Sequence, residues 1–147
     1  MNIAIVAHDS GAANLILGFI TNNTKNNYYF YLKGPAKKIF EKSYKNFKNK
    51  SIKCLLDNCD VLISGTGWQS DFEHAARCKF KKRNKKIISV IDHWVNYKER
   101  FENEDQNEFL SDEIWVFDKT ALKIAKKTFP DIPIIEQKNF YVHDIVE

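Results

Sequence analysis

Three short runs carry the residue types that move protons or grip polar ligands: His8-Asp9-Ser10-Gly11, Ser64-Gly65-Thr66-Gly67-Trp68-Gln69 and Asp92-His93-Trp94. Imidazole exchanges protons near neutral pH, so His8 is a candidate general base on a hydroxyl. A carboxylate from a second loop can orient such an imidazole and stabilise its charged form, which makes Asp92 the expected partner of His8. His93 is then a substrate contact or the alternative base. Gly65, Thr66 and Gly67 let the backbone turn sharply and approach a ligand, and their amides are candidates to hold a phosphate or a sugar hydroxyl. Trp68 and Trp94 offer faces on which a sugar or base stacks, with Asp9, Ser10, Gly11 and Gln69 as neighbouring contacts. Plainer readings stand beside these. Asp9 or Ser10 serves as a helix cap, Asp92 caps the turn after it, Trp94 packs into the core, and Gly65 to Gly67 is an ordinary strand-to-helix turn.

These runs need a frame that brings them to one place. Ile3 to Ala7 is an apolar strand pattern leading into the first run, and Ala12 to Ile20 reads as an apolar helix stopped by Asn22-Asn23-Thr24. Tyr28 to Leu32 reads as a strand, and Gly34-Pro35 opens a basic helix to about Lys45. Ile52 to Leu56 reads as a short strand and Asp60 to Ser64 as the strand that delivers the glycine run. Phe72, Ala75, Ala76 and Phe80 recur at helical spacing, with Glu73, Arg77, Lys81 and Lys82 between them as the polar face. Lys86 to Ile91 is the strand before Asp92. An acidic, poorly periodic stretch follows, read as an irregular loop or short helix. Glu113 to Phe117 is a strand, Lys119 to Phe129 a helix ended by Pro130, and Ile132 to Glu136 a last strand. The expectation is an α/β chain, a single Rossmann-like three-layer domain over 1–147 with a mostly parallel sheet. All three runs then fall at the carboxyl edge of that sheet, where such folds bind ligands. Trp115, inside a strand, is expected in the core.

Composition narrows the chemistry. The chain has 147 residues and a formal charge of +4, unevenly spread. Lys33 to Lys53 holds eight lysines against Glu41, and Glu99 to Glu113 holds seven acids against Arg100. The lysine stretches are solvated faces in the plain reading and a peripheral contact with an anionic membrane surface in the functional one. They lack interleaved aromatics, so nucleic acid is not an expected partner. The three cysteines, Cys54, Cys59 and Cys78, make no zinc pair, and the His and Asp residues lack metal-ligand spacing; no metal is expected. There is no Walker loop, nucleophile elbow, redox cysteine pair or G-x-G-x-x-G, so no cofactor is expected either. The N-terminus has no signal pattern and no apolar run approaches a membrane span, which reads as cytoplasmic.

Taken together, Ala7-His8-Asp9-Ser10-Gly11-Ala12-Ala13, Asp60-Val61-Leu62-Ile63-Ser64-Gly65-Thr66-Gly67, Ser89-Val90-Ile91-Asp92-His93 and the late Asp112-Glu113-Ile114-Trp115-Val116-Phe117 resemble the N-terminal half of GT-B glycosyltransferases and related nucleotide-sugar epimerases. The resemblance implies that His8 deprotonates an acceptor hydroxyl, as a histidine after the first strand does in some members. It also implies that most of the nucleotide-sugar site lies in a C-terminal half, which a partner chain would supply. The expected function is a glycosyltransferase-like domain for bacterial surface-glycan assembly, binding a sugar acceptor or nucleotide-sugar. Alternatives stand beside it: a non-catalytic nucleotide- or sugar-phosphate-binding module, a subunit that completes a split glycosyltransferase, and a structural or regulatory subunit whose sheet edge is a protein interface.

Overall fold

The computed structural model describes residues 1–67, 71–94, 97, 99–101 and 110–140. The apolar runs become strands β1 (Asn2–Ala7), β2 (Asn27–Leu32), β3 (Val61–Ser64), β4 (Lys86–Val90), β5 (Glu113–Val116) and β6 (Ile134–Glu136). They form one six-stranded sheet in the order β2-β1-β3-β4-β5-β6. Each neighbouring pair runs parallel, so the mostly parallel sheet expected from the alternation of strands and helices is found.

Parallel strands require crossovers: α1 (Ser10–Thr21) joins β1 to β2, α2 (Gly34–Ser43) and α3 (Ile52–Asn58) join β2 to β3, α4 (Phe72–Lys82) joins β3 to β4, and α5 (Lys119–Thr128) joins β5 to β6. The two-residue period of the strands divides their side chains between two layers. Ile3, Ile5, Ile63 and Val90 pack with Ala13, Ile16 and Ile20 of α1 and Phe40 of α2. Ala4, Val6, Leu62 and Ile87 face the opposite way, onto Leu55 of α3 and Ala76 and Phe80 of α4. Ile114 and Val116 pack with Ala121 and Ala125 of α5 and with Phe101. Trp115 is buried as expected, its ring 4.7 Å from that of Phe19.

One expected strand is a helix. Ile52 to Leu56 lies in α3, because the Ser51 hydroxyl accepts the Cys54 amide at 3.1 Å as an N-cap and the run continues through Asp57 and Asn58. Helical geometry places Leu55 and Leu56 inward and brings Lys53 to Asp57 across one turn. In α4 the buried face is Glu73, Ala76, Arg77 and Phe80, with Ala75 exposed. The face is thus rotated from the apolar stripe Phe72, Ala75, Ala76 and Phe80. Part of the acidic stretch forms a 3₁₀ turn, Glu99–Phe101; residues 102–109 and the tail 141–147 lie outside the described residues.

Candidate functional site

In this strand order the chain leaves β1 for β2 on one side and returns to β3 on the other. The carboxyl ends of β1 and β3 therefore border a crevice at the point where the winding reverses. His8 and Asp9 stand at the exit of β1, and Gly65 to Gly67 at the exit of β3. His8 Nδ1 lies 2.8 Å from Asp9 Oδ1, and about a third of the His8 side chain is exposed. Gly34, at φ +57°, makes room on the other side: a Cβ there would stand 2.9 Å from His8 Nε2. That position needs glycine both for its left-handed backbone and for the space the imidazole occupies.

Asp9 occupies the N-cap position of α1, yet its carboxylate makes no capping bond to the helix. It turns instead to His8 and to Gly67, where any side chain would collide with Asp9 Oδ2. The expected His8–Asp92 pair is replaced by His8–Asp9. Asp92 is engaged elsewhere: its Oδ1 accepts from Arg100 at 2.7 Å in a pair that is almost wholly buried. Arg100 also donates to the Thr66 carbonyl at 3.3 Å and hydroxyl oxygen at 3.2 Å. The Thr66 hydroxyl in turn donates to the Val90 carbonyl at 2.8 Å. Thr66 and Asp92 thus fasten the loops after β3 and β4 together, with Arg100 as the clamp.

Beneath the crevice lies a carboxyl group that the amphipathic pattern assigned to solvent. Glu73 is buried, and its Oε1 accepts the Gly67 amide at 2.7 Å. Its Oε2 is buried and lies where a Cβ on Gly65 would collide. Burial pushes the Glu73 carboxyl up to about 7; the Gly67 amide and Arg77 oppose the rise, and Asp9 adds to it. Arg77, also buried, donates to Ser64 Oγ at 3.2 Å and to the Gly65 carbonyl at 2.9 Å. Gly65 donates its amide to the Val6 carbonyl at 3.0 Å. The amides of Gly65 and Gly67, expected to hold a phosphate, are therefore spent inside the fold, next to two carboxyl groups. The glycines serve close packing against Glu73 and Asp9 instead.

A second concavity opens on the far side of this network. A cleft of about 210 Å³ is lined by Gly11, Asp92, His93 and Trp94, with Asn14, Phe117 and Asp118 among its other walls. Gly11 packs against the Asp92 carboxylate, where a side chain would collide. Trp94 is 56% exposed, so it is no core residue, and its Nε1 donates to both Asp118 oxygens at 2.9 and 3.1 Å. Exposed His93 places Nε2 3.8 Å from Asp92 Oδ2. Ser10 is exposed at the first position of α1, and Trp68 and Gln69 lie outside the described residues. Among the described residues no three His, Cys, Asp or Glu side chains gather as metal ligands, and no helix is long and apolar enough to cross a membrane.

This architecture is shared. The crystal structure of a Listeria monocytogenes protein assigned as a UDP-N-acetylglucosamine 2-epimerase superposes with a TM-score of 0.52 at 11% identity. The likeness is one of fold. It covers 91% of this chain and 44% of that protein, so the chain spans less than half of its structural neighbour. No family model and no curated protein matches the chain. The residues that sequence patterning passed over are Gly34, Glu73, Arg77, Arg100 and Asp118. The 73–77 spacing marks a helical pair, but nothing in that spacing tells a buried pair from a solvated one.

Proposed function

We propose that the chain is a GT-B-like domain of nucleotide-sugar chemistry, serving bacterial surface-glycan assembly, in which His8 removes a proton from a bound sugar hydroxyl. The observation that carries the reading is the His8–Asp9 pair at the switch point of the sheet. With Nδ1–H donated to Asp9, Nε2 bears the lone pair that accepts the hydroxyl proton, and the carboxylate stabilises the imidazolium that results. Asp9 takes the orienting role first expected of Asp92, which instead holds the Gly11 side of the crevice in place.

The polarity of the crevice favours an acceptor over a donor. Asp9 and Glu73 flank the glycine loop and the Gly65 and Gly67 amides are engaged, so a pyrophosphate gains little there, whereas a hydroxyl finds a base. The likeness to less than half of an epimerase-type protein supports a domain that works with a second one, on the same chain or on another. The lysine-rich stretch around α2 is suited to steering anionic sugar nucleotides or resting on an anionic membrane surface.

The test is calorimetric titration of the purified chain with UDP-N-acetylglucosamine, N-acetylglucosamine 1-phosphate and N-acetylglucosamine, with NMR to follow the sugar for transfer or isomerisation. At least one ligand is expected to bind. Turnover, alone or with a partner half, should fall about 10²- to 10⁴-fold in His8→Ala while circular dichroism stays unchanged. Binding of none overturns the reading, and full turnover in His8→Ala removes His8 from the role.

A further inference from the structure

We propose that the cleft beside Trp94 is a seat for one neutral pyranose ring, stacked on the Trp94 indole and hydrogen-bonded through Asp118, Asn14 and Asn139. The inference rests on the sugar reading above and assigns the residues that hold the ring rather than the one that takes its proton.

Four observations carry it. First, the indole is presented to solvent yet fixed: Asp118 accepts its Nε1–H on both oxygens, and Asp118 Oδ1 also accepts the Ala121 amide at 2.7 Å as the N-cap of α5. A flat apolar face held in this way loses little conformational entropy when a ligand stacks on it. Second, the cleft pairs an apolar floor, including Leu15 and Phe117, with a rim of Asn14, Asp118 and Asn139. This is the division that a sugar presents, with C–H faces for the aromatic and floor and hydroxyls for the carboxylate and amides. Third, its volume of about 210 Å³ lies below the ~300–1,000 Å³ typical of sites that enclose drug-sized ligands, which suits one ring rather than a whole nucleotide.

Fourth, the charge selects against phosphate. No lysine or arginine lines the cleft among the described residues, and Asp92 and Asp118 both do. The α5 amide that Asp118 caps is already occupied, so this helix end offers an anion little. The cleft opens on the β4 and β5 side of the Gly11–Asp92 contact, whereas His8 stands beside Gly34 at the β2 side. A saccharide of more than one ring can thus be gripped at one end and deprotonated at the other.

The experiment follows the three tryptophan indole N–H signals of the ¹⁵N-labelled chain by NMR. The titrants are methyl glycosides of N-acetylglucosamine and glucose, with uridine, N-acetylglucosamine 1-phosphate and UDP-N-acetylglucosamine in parallel. A glycoside is expected to move the signal that disappears in Trp94→Ala. Its affinity should fall about tenfold in that variant, the size of one stacking contact. Asp118→Asn keeps a competent cap while removing the charge, and is expected to weaken glycoside binding with normal spectral dispersion. An indole unmoved by any glycoside, moved equally by uridine, or bound as tightly in both variants overturns the seat. If UDP-N-acetylglucosamine still binds in that case, the sugar reading survives and the seat alone fails. If none of the titrants binds, both fall.

Discussion

Glu73 is the residue at which burial, charge and the site loops meet. Its ordinary value of 4.5 is raised to about 7 by burial, against the pull of the Gly67 amide and Arg77. The native state thus holds the proton that an unfolded chain gives up above about 4.5. Stability is complete below that pH, falls as pH rises through the window from 4.5 to about 7, and is level above it as far as this group is concerned. Glutamine reproduces the protonated shape, keeps an oxygen for the Gly67 amide and does not titrate. Glu73→Gln should therefore gain on the parent protein by up to ~3 kcal/mol between about pH 5 and about pH 8, read from urea unfolding midpoints at both values. A difference that stays constant with pH would show that Glu73 is ionised throughout. The same carboxyl explains why Gly65 and Gly67 are glycines. They make room for Glu73 and Asp9, a requirement that the Gly-x-Gly spacing, read as an anion loop, does not reveal.

At the scale of elements, strand and helix order was legible wherever one periodicity prevailed. β1, β3 and β4 are mostly apolar and almost wholly buried, and α1 is apolar along most of its length, so burial on both faces of a parallel sheet left one reading. Ile52, Cys54 and Leu56 alternate with Lys53 and Leu55, a pattern that suits a strand as well as a short helix. The deciding term is Ser51, which closes the first turn, and its effect is measurable: Ser51→Ala should cost ~1 kcal/mol in chemical denaturation with the m-value unchanged. No measurable loss would mean that packing of Leu55 and Leu56 alone dictates α3. In α4 the period was right and the face was wrong. The loop after β3 draws Glu73 and Arg77 inward through the Gly67 amide, the Ser64 hydroxyl and the Gly65 carbonyl, partners far away in the chain until the sheet forms. The candidate site followed the same rule. The three runs were placed at one edge by the alternation of strands and helices, but which carboxylate meets His8 was decided by Arg100, whose buried contacts with Thr66 and Asp92 no local pattern announces.

For the whole molecule, strand order sets how firmly each part of the site is held. β1 and β3 lie inside the sheet with neighbours on both sides and helices on both faces, and nearly all their residues are buried. β6 is an edge strand of three residues, none of them fully buried, and β2 is the opposite edge. Opening β6 exposes little apolar surface, whereas opening β1 or β3 dismantles both core layers and amounts to global unfolding. The amides of β1 and β3 should accordingly exchange with deuterium only through global unfolding and respond to denaturant with its full m-value. Those of β6 should exchange through local opening at a free energy lower by several kcal/mol, nearly independent of denaturant. Equal protection along all the strands would refute this ordering. The consequence for the proposed function is that His8, Asp9 and Gly65 to Gly67 issue from the two central strands, so the proposed proton-accepting geometry would be built on the part of the fold expected to open last. Trp94 depends on a different fixture, the Asp118 carboxylate at the start of α5, one strand from the β6 edge. Sugar binding at the Trp94 cleft should then raise protection in α5 while leaving β1 and β3 unchanged, and a rise confined to β1 and β3 would place the ligand at the switch-point crevice instead.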